Sequence, residues 1–280
     1  MSYKLVAIDL DGTLLNKQDL VSEYNQKVLQ NLKEKGIMVA IITGRRFISM
    51  MDVVKDLNIG LPYICFNGGM IVNYNDHKII HKEALDLTVS KNVINEMKEI
   101  NIPVFIYKAE VAGPATYYIN GGDHPRVKRY IEYETKRNQI AQIKDIDTDL
   151  DFSPICIKSF GYSSTIKKVE YLKDKYNTKD LTWLQTIGVN KETHYLELYP
   201  SKANKVNGLK WLSEKYKVKK DDIIAIGDNL NDLEMLEWAG LGIAMGNAHE
   251  TTKSVADVVA GDSDDDGVGK ILSDIFNLKM

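Results

Sequence analysis

Cysteine is almost missing: the 280-residue chain has two, Cys65 and Cys156, far apart and each in an apolar stretch. Such a pair offers no metal-type spacing. It could form one disulfide, but two buried thiols in a reducing cytosol are the expectation. An excess of positive charge is missing too. With a net charge of −3 and a pI of about 6.0, the chain has no basic field to attract nucleic acid, so an anionic ligand needs locally placed donors. No apolar run approaches the roughly 20 residues of a membrane span. Met1-Ser2-Tyr3-Lys4 leads straight into a strand-like segment, without the apolar stretch of a signal peptide. No internal repeat or low-complexity tract is visible. These absences predict a cytoplasmic protein with neither a membrane nor a nucleic-acid partner; a monomer is favoured.

Hydrophobic residues make up 44% and charged residues 27%, enough for a core of normal size in one large or two modest domains. Leu5-Val6-Ala7-Ile8 is apolar on both faces, as a central parallel strand should be. Val28, Leu29 and Leu32 then recur at helical spacing, with Ser22 as a plausible N-cap and Gly36 as a stop. Ile37–Ile42 reads as a second fully apolar strand and Tyr63–Phe66 as a third. Strand, helix and strand with short turns form a right-handed βαβ unit of a doubly wound sheet. Residues 70–74 and 78–81 read as a hairpin.

After about Leu85 the pattern changes. Partly alternating, aromatic-rich strands (Val104–Tyr107, Thr116–Ile119, Ile155–Phe160, Leu181–Thr186) mix with amphipathic helices near Val89–Ile100 and Thr165–Tyr176. This suits an antiparallel sheet with helices on one face. The βα rhythm returns with a helix over Lys205–Tyr216, the strand Ile223–Ile226, a helix from about Asn231 to Ala239 and a strand Leu241–Met245. The expected fold is therefore α/β: a Rossmann-like, doubly wound, mostly parallel core over 1–84 and 190–280, with an inserted α+β cap over 85–189. The acidic run Asp262–Asp266 reads as a solvated loop rather than a calcium loop, which needs alternating oxygen ligands and a late glutamate.

In open α/β sheets, ligands bind beyond the carboxyl ends of the strands. Here those ends carry Asp9 and Asp11, then Thr43 and Gly44, then Asp228, Asn229, Asn231 and Asp232, while Lys205 opens the helix before the late strand. If these strands are neighbours, carboxylates, an ammonium, a hydroxyl and free amides meet in one crevice. That inventory suits phosphoryl transfer, where catalysis is mainly positioning and charge neutralisation. A hard cation such as Mg2+ takes carboxylate and phosphate oxygens, and Asp9 and Asp228 are the candidate ligands. A carboxylate is also an apt nucleophile, because an acyl phosphate divides hydrolysis into two easier steps. Asp11, aimed differently in the turn, could protonate the leaving oxygen and then deprotonate water. Gly12 lets the backbone curl and turn its amides toward a phosphate.

In this order the residues resemble the haloacid dehalogenase-like (HAD) superfamily, and more narrowly its Cof-type sugar phosphatases. Asp9-Leu10-Asp11-Gly12-Thr13 matches the first motif, Thr43-Gly44-Arg45 is similar to the second, Lys205 to the third and Gly227-Asp228-Asn229-Leu230-Asn231-Asp232 to the fourth. Ala244-Met245-Gly246-Asn247-Ala248 also resembles that branch, and the likeness spans the chain. The resemblance implies Asp9 as nucleophile and metal ligand. It implies Asp11 as acid/base, lending its backbone carbonyl to Mg2+. Leu10, Thr43, Gly44, Lys205 and Asn231 would bind phosphate, Asp228 would ligate the metal directly and Asp232 would stand behind it. About thirty residues separate Asp11 from Thr43 and about 160 separate Thr43 from Lys205, which places the cap in the second interval, like type IIB caps. Val206 stands where the family often has glycine, a departure that bears on how the helix begins.

Plainer readings exist. Asp-x-Asp-Gly is a common turn, Thr43-Gly44 could be a helix cap, and Asp232 could only cap the next helix. Arg45 could touch substrate or be solvated, and His124 reads as a surface turn. Taken together the motifs predict a Mg2+-dependent phosphatase acting on small phosphorylated metabolites. Sugar phosphates lead, with FMN, pyridoxal phosphate or nucleotides also fitting. A sugar phosphomutase is the alternative, and a receiver-like phosphate-binding protein a remote one.

Overall fold

Leu5–Ile8 is wholly buried, as four consecutive apolar residues require when a strand has a neighbour on each side and helices above and below. The computed structural model describes residues 3–187 and 192–279, and these fall into two units, Met1–His81 with Ala203–Met280, and Lys82–Lys202.

The first unit is built on a five-stranded parallel sheet. Its order is Val258–Val259, Leu241–Ala244, Ile223–Gly227, Leu5–Ile8, Met38–Ile41. Leu5 pairs with both Ile223 and Met38, so the two flanking strands are in step with the central one. Chain direction sets the wrapping. From Leu5–Ile8 the chain crosses one way to Met38–Ile41; from Ile223–Gly227 it steps the other way, to Leu241–Ala244 and then Val258–Val259. Right-handed crossovers then put the two sets of helices on opposite faces. The helix Glu23–Glu34 packs with the C-terminal helix Gly267–Phe276, and Lys205–Tyr216 packs with Leu233–Trp238. The order reverses between Leu5–Ile8 and Ile223–Gly227, where such folds open a ligand crevice.

Local chemistry explains the ends. The Ser22 hydroxyl accepts a hydrogen bond from the Asn25 amide, starting the helix Glu23–Glu34. Tyr63–Cys65 follows Met38–Ile41 through a parallel bridge between Ile42 and Ile64, then pairs antiparallel with Met70–Val72 in a three-stranded sheet completed by Ile79–Lys82. In the acidic run, Asp264 accepts from the Lys17 amide and Asp266 from the Ser22 hydroxyl, so these carboxylates anchor the loop before the first helix. Cys65 and Cys156 are free and buried. Among the described residues no helix is long and apolar enough to cross a membrane.

The second unit is a six-stranded mixed sheet in the order Leu181–Ile187, His194–Pro200, Cys156–Gly161, Val104–Tyr107, Thr116–Ile119, Ile140–Gln142. One face buries Val104, Ile106, Ile157, Leu196 and Leu198 against Val93, Ile94 and Met97 of the helix Leu87–Glu99. Helices were expected on that face alone, and this needs correction. Thr116–Ile119 and Ile140–Gln142 are parallel, and such a pair needs a crossover. The crossover holds the helix Pro125–Lys136, whose Tyr130 meets Phe105 edge-on at 5.2 Å on the opposite face. The single helix expected over Thr165–Tyr176 is two short ones, Ser163–Lys167 and Tyr171–Lys175. The boundary expected at 189/190 lies outside the described residues. The change of unit falls after Lys202, because His194–Pro200 pairs antiparallel with strands on both sides and belongs to this sheet.

Candidate active site

Asp9 directly follows the central strand and is buried, its amide donating to the Ile226 carbonyl at 3.0 Å. Asp228 follows the adjacent strand Ile223–Gly227. The two carboxylates therefore sit at neighbouring tips, at the reversal of strand order. Asp9, Asp228 and Asp232 each turn one oxygen to a common point, with those oxygens within 4.8 Å of one another.

Lys205 enters from the first turn of the helix Lys205–Tyr216. Asn204 starts that helix, its side chain accepting from the Asn207 amide, and Val206 is buried in the same turn, so valine after the lysine leaves the helix start intact. The ammonium of Lys205 is 1% exposed, 2.7 Å from Asp9 Oδ1 and 2.6 Å from Asp232 Oδ1. Asp232 is fully buried, and its other oxygen accepts from the amides of Asp228 and Asn229 at 3.1 and 3.0 Å. It thus caps its turn, as one reading of it had it, and also pairs with Lys205, a contact the sequence did not suggest. Thr13 donates its hydroxyl to Asp228 Oδ1 at 3.2 Å.

The turn after Asp9 is an irregular helical one over Leu10–Leu14, with Asp11 extended and Gly12 at φ +74°. Asp11 leaves the cluster: its exposed carboxylate accepts from Arg45 Nε at 2.8 Å, and Arg45 Nη2 also reaches Asp19 at 3.2 Å. Asn247 holds the turn from the far side, donating to the Gly12 carbonyl at 2.7 Å while accepting from the Ser263 amide.

Thr43 is buried, and its Oγ1 accepts from the Arg45 amide at 3.0 Å. It is no helix cap, since the next helix, Phe47–Val54, begins after Arg46. Asn67 is the residue that sequence reasoning passed over. It is buried, in the left-handed region at φ 54°, with its amide on the Thr43 carbonyl and its side-chain oxygen accepting from Asn231 Nδ2 at 2.9 Å. A Cβ on Gly44 would come 3.0 Å from that oxygen. Asn67 thereby joins the loops of Gly44 and Asn231; its one signal was an Asn-Gly-Gly following a strand.

Three carboxylates face one ammonium, an excess of two negative charges. Burial first, then Asp232 and Asp228, push Asp9 well above the usual carboxylate range, with Lys205 pulling it back. Burial and Asp232 push Asp228 up to about 6, against Lys205 and the Thr13 hydroxyl. Burial alone would lower Lys205, but Asp232 and Asp9 outweigh it and keep it charged. One cation thus cannot satisfy three acids, and a divalent ion of hard oxygen preference fits the donor set in both charge and chemistry.

A sequence profile of the haloacid dehalogenase-like hydrolases matches residues 6–272. Phosphatase YwpJ of Bacillus subtilis is 30% identical, covering 98% of this chain and 100% of its own length. The 5-amino-6-(5-phospho-D-ribitylamino)uracil phosphatase YitU of the same organism is 27% identical, with 98% of each chain covered. Among solved structures, a haloacid dehalogenase-like hydrolase from Bacteroides thetaiotaomicron superposes with a TM-score of 0.83 at 27% identity, over 98% of this chain and 100% of its own.

Proposed function

The chain belongs to the haloacid dehalogenase-like hydrolases and is a phosphatase, and from that premise we propose that it hydrolyses small phosphorylated metabolites, sugar phosphates first, through a phosphoryl group carried on Asp9. The observation that carries the reading is the placement of Asp9: a buried carboxylate at the reversal of strand order, oriented by the Lys205 ammonium 2.7 Å away.

In the first step an Asp9 oxygen attacks phosphorus in line, the bond from phosphorus to the leaving oxygen breaks, and Asp11 gives that oxygen its proton. In the second, Asp11 takes a proton from water as the water oxygen attacks phosphorus, and Asp9 is released. Asp11 has to exchange its Arg45 contact for the leaving oxygen, a side-chain rotation at an exposed position. Lys205 neutralises charge on Asp9 and phosphate. The Leu10 and Gly44 amides, the Thr43 hydroxyl and the Asn231 side chain donate to phosphate, with Asn67 setting the Asn231 amide. Mg2+ would be held by Asp9, Asp228 and the Asp11 carbonyl, with Asp232 orienting the Asp228 loop; it supplies charge neutralisation at the phosphate oxygens.

A second substrate reading has one specific support. By its name, the relative YitU acts on a phosphorylated chain attached to a uracil ring, which favours ring-bearing phosphates after sugars. We further read the protein as cytoplasmic, a reading supported by its free, buried cysteines, and as a monomer without a membrane or nucleic-acid partner, its net charge of −3 offering no basic field to nucleic acid. The test is phosphate release across a metabolite panel, with and without Mg2+, for the wild type and Asp9→Asn. Turnover should require both the metal and Asp9; full activity in Asp9→Asn removes the nucleophile assignment.

A further inference from the structure

The exposed loop between the first motif and the first helix is more tightly built than a connection requires. It closes on itself: the Asn16 side chain accepts from the amides of Gln18 and Leu20 at 3.0 and 3.1 Å, and the Asp19 amide donates to the Asn16 carbonyl at 2.9 Å. Asp264 of the acidic run fixes the loop from outside, accepting from the Lys17 amide at 2.8 Å and pairing with the Lys17 ammonium. Asp19 is held at φ +57°, a left-handed conformation in which aspartate is enriched. Loop and anchor together present one exposed carboxylate, Asp19, at a fixed place.

That carboxylate meets the guanidinium of Arg45. Arg45 grips Asp11 through Nε, at 2.8 Å, and through Nη2. The same Nη2 donates to Asp19 Oδ1 at 3.2 Å, and Nη1 donates to the Ser49 carbonyl at 3.4 Å. The half-buried guanidinium thus has two partners, Asp19 and Ser49, that do not depend on Asp11. An isolated exposed ion pair stabilises a fold little. Asp19 matters instead when Asp11 turns away toward a leaving oxygen. Without it, that rotation would leave Arg45 with no carboxylate among the described residues, and the lost pairing would hold Asp11 back.

We propose that Asp19 is a positioning residue for the acid step. It retains Arg45 while Asp11 swings to the substrate, so Asp11 changes partner without stranding a charge. Asp264 serves the same step at one remove, by holding the loop that presents Asp19. The inference rests on the reading of Asp11 as the acid, and it gives a role to two residues that lie outside the four motifs.

The experiment compares kcat/KM of the full-length protein on two probes, an alkyl phosphate that the wild type turns over and p-nitrophenyl phosphate. That quantity covers the chemistry only as far as the phosphorylated Asp9. An alkoxide needs the proton of Asp11 to leave, whereas nitrophenolate leaves without one. Asp19→Gly keeps the left-handed backbone and removes the carboxylate. It should lower kcat/KM by about fivefold on the alkyl phosphate and by less than about 1.5-fold on p-nitrophenyl phosphate. Asp264→Ala, which frees the loop from its anchor, should show the same selective loss; wild-type values there overturn the role of the anchor. Equal losses on both probes in Asp19→Gly, the mark of a merely loosened fold, overturn the proposal, and so does no loss on either. Asp11→Asn separates this from the phosphatase reading. If it loses alkyl phosphate turnover while Asp19→Gly keeps all of it, the role of Asp19 alone falls. If Asp11→Asn keeps full turnover, the acid assignment falls and takes this proposal with it.

Discussion

A Cβ placed on Gly12 would lie 2.4 Å from Asp228 Oδ2, so the turn after the first strand and the carboxylate at the tip of its neighbour occupy one another's space. Gly12 also holds φ +74°, which side-chain-bearing residues rarely adopt. Gly12→Ala combines both conflicts. It should lose about 1–3 kcal/mol of stability from the backbone alone and displace Asp228, removing most phosphatase activity. Urea unfolding with parallel phosphate release checks this; a variant with wild-type activity would mean that Asp228 has no fixed place in the reaction.

Among the described residues Lys205 is the one ammonium paired with these acids, and its removal leaves Asp9 and Asp232 buried without it. Breaking a buried pair on one side costs about 3–5 kcal/mol. Lys205→Met should be destabilised on that scale near neutral pH and lose about a hundredfold or more in kcat. Adding Asp232→Asn to Lys205→Met removes one of the orphaned charges and should recover stability without recovering kcat. Thermal melts and initial rates of both variants decide this, and a Lys205→Met protein as stable as wild type contradicts the pairing.

The strands bearing Asp9, Thr43 and Asp228 were readable because parallel strands buried on both faces are continuous apolar runs, and each run ends abruptly in polar residues. Lys205 was not readable from physical pattern, since lysine is ordinarily a surface residue and nothing local marks this one as 1% exposed; the resemblance of its motif supplied it. Asn67 was hidden because Asn-Gly-Gly after a strand is also common turn chemistry. The helix Pro125–Lys136 was missed because its apolar contacts rest on Val127 and Tyr130 amid charged residues. The sheet to which His194–Pro200 belongs was not readable, because the strand carries enough buried apolar side chains to pass for a core strand and only its pairing places it.

Asn67 offers a way to separate positioning from chemistry. Its left-handed backbone tolerates glycine, so Asn67→Gly removes the side-chain contact to Asn231 while keeping the loop. Stability should change by no more than about 1 kcal/mol. If Asn231 donates to phosphate, KM should rise by roughly tenfold with kcat changed less, the signature of weakened ground-state binding. Steady-state kinetics on one substrate are sufficient; an unchanged KM shows that Asn231 needs no such support.

The acid cluster also sets how stability depends on pH and metal. A carboxyl whose folded value is raised holds its proton more tightly folded than unfolded, so the folded state binds more protons and stability falls as pH rises between the two values. For Asp228 that window runs from 3.8 to about 6, and Asp9 is displaced in the same direction. The metal-free protein should therefore lose stability from this cluster as pH rises through that window. Above it, where the carboxylates are ionised, a divalent cation has most to neutralise. Millimolar Mg2+ should raise Tm more at pH 7.5 than at pH 5, and Asp228→Asn should reduce both the Mg2+ shift and the pH dependence. Thermal melts across pH with and without the metal measure each arm. An equal Mg2+ shift at the two pH values, or one that survives in Asp228→Asn, places the ion elsewhere than among Asp9, Asp228 and Asp232.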